Sequence, residues 1–119
     1  MNLYDIWFST VKLHDEIKNN LMNSFNNTEE LWFFLRESKD YNYSFSVKPL
    51  LDSMKLGYIE KLMDVTIREG IKIITKKDEN YPSLLKNYDD SPYVLYYLGD
   101  IQKINKLINI SIVGSRLCS

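Results

Sequence analysis

Cysteine is almost missing from this sequence. Cys118 stands alone, so no disulfide can form within the chain, and a reduced, cytoplasmic setting is the simplest reading. Histidine is equally scarce. His14 is the single one and lies far in sequence from Cys118. With no carboxylate cluster of ligand pattern, the sequence offers no metal site and no nucleophile, base and orienting acid to assemble. It predicts no cofactor and no enzyme. No apolar run is long enough to span a bilayer, and the opening stretch MNLYDIWFSTVK lacks a basic leader, which excludes a signal peptide and a membrane partner as first readings. Internal repeats and low-complexity tracts are absent. An excess of one charge is absent too: 15 basic and 16 acidic residues leave a net charge of −1, so the chain as a whole makes no electrostatic case for nucleic acid.

What remains is the composition of a globular protein, 45% hydrophobic and 26% charged over 119 residues, enough to bury one core or two very small ones. The first 69 residues read as helices. Ile6, Trp7, Val11 and Leu13 fall near helical spacing over residues 3 to 13. Asp15 is placed to cap a second helix running to Phe25, with Ile17, Leu21 and Met22 inward. Thr28 looks like the cap of a third, with Glu29 and Glu30 facing the positive end of its dipole and Leu31, Phe34 and Leu35 inward. Residues 37 to 46 read as a loop. Pro49 suits the first turn of a fourth helix, with Leu50, Leu51 and Met54 inward and Gly57 as its end. A fifth runs from Tyr58 to Glu69 with Ile59, Leu62, Met63 and Ile67 inward, and Gly70 is its left-handed stop.

At Gly70 the character changes. Ile71 to Thr75 is short and β-branched, a strand. DENYP over 78–82 is a turn, in which Asp78 bonds its own backbone and Pro82 starts a helix through Tyr88. Asp89 to Pro92 is a second turn, and the Ser91–Pro92 bond is expected to be trans. Tyr93 to Leu98 is a second strand stopped by Gly99. Asp100 can cap a helix over 101–107, with Ile104 and Leu107 inward, and Asn109 to Val113 is a third strand. The predicted class is α/β: a helical module over 1–69, then over 70–119 the start of a parallel sheet. A sheet that stops after three short strands lacks cover for its last strand and its edge. The sequence therefore reads as truncated at Ser119, unless a partner supplies the missing half.

The last strand runs into Gly114-Ser115-Arg116, with Ser119 close behind. Glycine lets the backbone approach an anion, serine adds a donor, and arginine grips phosphate with paired hydrogen bonds. An ordinary strand exit with a solvated arginine would look the same. The stretch is neither a Walker loop nor a dinucleotide fingerprint, because the required Gly-Lys-Ser/Thr and glycine spacing are missing. Charge is consistent with an anion here, since residues 70–119 hold seven basic and five acidic residues while residues 1–69 hold eight and eleven. The strand tyrosines Tyr93, Tyr96 and Tyr97 have no lysine or arginine beside them in sequence, so packing explains them better than base stacking.

Three linked blocks, GIKIITKKDENYPSLL, DDSPYVLYYLGD and ISIVGSRLCS, closely resemble the DNA-processing protein A family, also called Smf. That family carries a Gly-Ile-x-Ile/Val-x-Thr strand, Asp-x-x-Tyr-Pro-x-x-Leu, Asp-x-Pro-x-Val-Leu-Tyr-x-x-Gly-Asp and Ile-Val-Gly-Ser/Thr-Arg-x-x-Ser, in this order. The resemblance implies a Rossmann-like domain that binds single-stranded DNA, protects incoming strands in natural transformation and helps load the RecA recombinase. It implies a homodimer in the full-length form, and it puts the DNA contacts on Gly114, Ser115, Arg116 and Ser119. Family members often open with a small helical (SAM-like) domain bearing a paired-glycine hairpin. Here Leu13-His14-Asp15-Glu16 takes that place, and two carboxylates would repel a phosphate, so the first 69 residues are expected not to bind DNA alone. Two other readings stand beside this one: a Rossmann-like protein that binds or hydrolyses a nucleotide, and an inactive remnant.

Overall fold

The computed structural model describes residues 2–38 and 45–99. The elements are α1 (Leu3–Thr10), α2 (Asp15–Met22), α3 (Thr28–Glu37), α4 (Lys48–Asp52), α5 (Leu56–Arg68), β1 (Lys72–Thr75), α6 (Ser83–Lys86) and β2 (Val94–Tyr97). The class is mixed α/β, as expected, with the helices first in the chain.

Helix α1 is the centre of the core. Ile6, Trp7 and Phe8 are consecutive and all fully buried, so this helix is covered on more than one face, by α3, α5 and β2. Trp7 meets Trp32 edge-on at 5.0 Å, and Phe8 meets Tyr93 edge-on at 5.3 Å, the geometry that sets the positive ring edge against the negative face. Asn2 caps the helix by accepting from the backbone N–H of Tyr4 at 2.8 Å. Val11 is already extended, so Leu13 lies past the helix rather than on it.

The other helices follow the sequence with informative shifts. In α2, Leu21 and Met22 are buried, but Lys18 takes the core position beside them while Ile17 stays partly exposed. The cap position falls on His14, which makes no side-chain cap bond, and Asp15 is the first helical residue. In α3 the cap is Asn27, not Thr28: Asn27 Oδ1 accepts from the N–H of Glu30 at 2.9 Å, and Glu30 reaches back to Asn26. Thr28, released from capping, is buried and donates to Asp5 Oδ1 at 2.7 Å, tying α3 to α1. Gly57 does not end α4. It lies inside α5 near its start, because Ser53 and Met54 already close the preceding turn. Ile67 is 56% exposed rather than inward; Ile59 and Thr66 form the buried stripe.

Gly70 stops α5 as expected, at φ 68°. Its N–H bonds Ile67 O and the N–H of Ile71 bonds Thr66 O, at 3.1 and 3.0 Å, the paired bonds of a Schellman motif. The chain then enters β1. Strands β1 and β2 pair antiparallel, with Ile73 opposite Tyr96 and Ile74 opposite Leu95. No parallel pairing occurs among the described residues, where the sequence predicts the opening of a parallel sheet. The connection explains this. Between β1 and β2 the chain makes two turns around the four-residue α6 and returns antiparallel, with no crossover helix of ordinary length among the described residues. The expected helix over 101–107 and third strand over 109–113 lie outside the described residues.

The strand pair is covered on both faces. Ile73 and Val94 pack into the core built on α1, whereas Ile74 packs with Tyr81 and Leu85, with Leu95 and Tyr97 against them. Strand periodicity sends alternate residues to opposite sides, and here each side meets an apolar layer. The packing reading holds for Tyr93, which lies just before β2 and is buried against Phe8; Tyr96 is 40% exposed, with its hydroxyl 2.5 Å from that of Ser9.

Candidate functional site

The residues singled out in the sequence, Gly114, Ser115, Arg116 and Ser119, lie outside the described residues, as does Cys118. What the structure describes is the frame that precedes them, from Gly70 to Gly99.

That frame is held by its turns. Asp78 Oδ1 accepts from the N–H of Asn80 at 2.9 Å, and the N–H of Tyr81 bonds Asp78 O, which makes the predicted aspartate turn. Pro82 caps α6. Tyr81 is only 2% exposed, and its hydroxyl donates to Pro92 O at 2.6 Å. Burial pushes this phenol well above its ordinary range, so it stays a donor at any physiological pH. One side chain thus joins the DENYP turn to the DDSP turn. The N–H of Lys76 bonds Tyr93 O at 2.8 Å and extends the ladder by one step beyond β1. Gly99, at φ 85°, ends the frame. All peptide bonds described are trans, Ser91–Pro92 included.

The second half is also sewn to α2, through contacts that no local pattern announces. Asn19 Nδ2 donates to Asp89 O at 2.6 Å and to Ser91 O at 2.8 Å, across about 70 residues of sequence. Lys77 Nζ donates to Phe25 O just past α2, and Lys76 Nζ donates to Tyr88 O at 2.7 Å. Between α2 and these turns lies an open groove of about 370 Å³, lined by Asn19, Asn20 and Asn23 on one side and Lys76, Lys77 and Lys86 on the other. Met22 and Tyr93 also line it, and Glu16 and Asp89 complete it. Lys76 is held below the usual lysine range by desolvation, against the opposing charges of Asp89, Asp90 and Asp15. The groove was not legible in the sequence, because its two walls come from parts of the chain far apart in sequence.

Among the described residues no group of histidine, cysteine and carboxylates could hold a metal ion, and no helix is long and apolar enough to cross a membrane. Comparison with known proteins adds the deciding observation. Residues 72–119 match the family model of DNA recombination-mediator protein A. Over this segment the chain is similar to that family. The match begins with β1 and runs through both turns, β2 and the Gly-Ser-Arg stretch, so the matched segment is the one whose described half has just been traced. The family's description names a role in DNA recombination. No curated protein and no solved structure matches the chain.

Proposed function

We propose that this protein binds single-stranded DNA as a recombination mediator, contacting strand phosphates through Gly114, Ser115, Arg116 and Ser119. The observation that carries this reading is the family match over residues 72–119, which includes those four. Glycine has no Cβ to keep a phosphate from the backbone, serine adds a donor, and Arg116 supplies paired donors. No catalytic set accompanies them in the sequence, so the role is binding rather than turnover. The strand would be delivered to the RecA recombinase in the cytoplasm, during DNA uptake in natural transformation, with a homodimer as the working form. The first 69 residues serve the fold: their aromatic core supports β2 through the Phe8–Tyr93 contact, and Asp15 and Glu16 at the start of α2 disfavour a phosphate there.

The test is fluorescence anisotropy of the full chain with a labelled oligothymidine, for the parent protein and Arg116→Ala. Loss of at least fivefold in affinity, similar for every strand sequence, is expected from removal of a phosphate contact. An affinity unchanged within twofold would remove Arg116 from the binding surface.

A further inference from the structure

We propose that the groove between α2 and the turns flanking β1 and β2 is a second site, which holds one unpaired nucleotide. Its size sets the class of ligand. About 370 Å³ is at the small end of ligand pockets; it admits a mononucleotide and excludes a duplex or a helix. Its lining sets the chemistry. Three ammonium groups, from Lys76, Lys77 and Lys86, line it with two carboxylates, from Glu16 and Asp89, so a phosphate is attracted by close contact with the ammonium groups and not by the net charge of the surroundings. Lys76 and Lys77 are each anchored by a bond to a carbonyl. An ammonium has three donors, so each retains two for a phosphate while its position is already fixed.

The facing wall supplies the other half of the recognition. Asn19 spends both amide hydrogens on Asp89 O and Ser91 O, which aligns its carboxamide and leaves Oδ1 buried with no partner. A buried acceptor without a donor is unfavourable, so the groove favours a ligand that brings one. Every base carries an N–H donor on its pairing edge when it is unpaired; inorganic phosphate brings none of comparable reach. Asn20 and Asn23 add carboxamides that both donate and accept, which suits any base without selecting one. Asp15 and Asp90 also act on Lys76, so the attraction is short in range and the expected affinity for a single nucleotide is in the millimolar range.

None of the groove residues named here is one of the four assigned to the strand phosphates, and the experiment keeps the two readings apart. The full chain is titrated with thymidine 5′-monophosphate and followed by the side-chain amide signals of Asn19, Asn20 and Asn23 in NMR spectra. Saturating shifts are expected at millimolar nucleotide, at least fivefold weaker in Lys86→Glu and in Asn23→Ala, and retained in Arg116→Ala. Inorganic phosphate should need at least tenfold higher concentration. Lys86 and Asn23 are both exposed, and two independent variants guard against a single failure to fold. A short oligothymidine that gives the same shifts more tightly identifies the ligand as one unit of a strand; a mononucleotide that binds as well or better identifies it as a free nucleotide. Absent shifts, equal response to phosphate, or indifference of both groove variants would overturn the proposal, as would loss of the shifts in Arg116→Ala with retention in Lys86→Glu.

Discussion

Tyr81 and Pro92 meet through a single hydrogen bond of 2.6 Å, from the buried phenol of one to the carbonyl of the other. The two residues lie in different turns, on either side of α6, and the bond fixes how those turns sit across the strand pair. Tyr81→Phe keeps the ring in its place and leaves Pro92 O without this donor. A loss of about 1–2 kcal/mol is expected, read as a lower midpoint in urea with an unchanged slope. A changed slope would mean that the denatured or native compactness had moved as well.

Phe8 joins the helices to β2. It is fully buried and faces the Tyr93 ring, so Phe8→Ala opens a cavity shared by both parts of the chain. The cost is about 3–5 kcal/mol. Helical circular dichroism and tyrosine fluorescence are expected to fall together in one thermal transition at lower temperature. Two separated transitions would show that the helices and the strand pair unfold independently.

The glycines of α5 give opposite results. Gly57 is helical, and a Cβ there meets nothing within 4 Å; Gly57→Ala stabilises by about 0.5–1 kcal/mol through the unfolded chain. Gly70 has equally open surroundings but φ 68°, so Gly70→Ala is destabilising by about 1–2 kcal/mol from backbone strain alone. Thermal melts of the two variants should move in opposite directions.

Lys18 carries a pH signature. Its ammonium lies 4.8 Å from the centre of the Phe8 ring and donates to Val11 O at 3.3 Å, yet burial outweighs the nearby Asp15 and lowers its pKa from 10.5 to about 8. Between about 8 and 10.5 the unfolded chain binds more protons than the folded one, so folding stability rises with pH across that window. Buried tyrosines act in reverse above pH 10, since burial raises Tyr93 to about 12 and unfolding then releases a proton. The clean interval is therefore pH 8 to 10. Urea denaturation should show the rise in the parent protein and not in Lys18→Met, which stays close to the parent in volume. A parallel pH dependence in both proteins would contradict the assignment.

Much of this fold was legible where one residue type has one physical use. Gly70 had to be a left-handed stop, and Glu29 and Glu30 had to begin a helix. Other features depend on competition that sequence leaves even. Asn27 and Thr28 can both cap a helix, and the contest went to Asn27 because Thr28 found Asp5. Lys18 entered the core because its long stem packs while its charge finds the Phe8 ring and the Val11 carbonyl. The antiparallel pairing goes with a connection of two turns around α6, and the groove with contacts between Asn19 and a turn some 70 residues away. The four residues of the expected phosphate contact are known from sequence and family alone.

The most direct measurement is a titration of the full chain with labelled single-stranded DNA, at several salt concentrations, beside a duplex of the same length. The account predicts binding to the single strand that weakens steadily with added salt, as release of counterions from the phosphates requires, with markedly weaker binding to the duplex. Absence of single-strand binding at low salt, or equal binding to both forms, would contradict it.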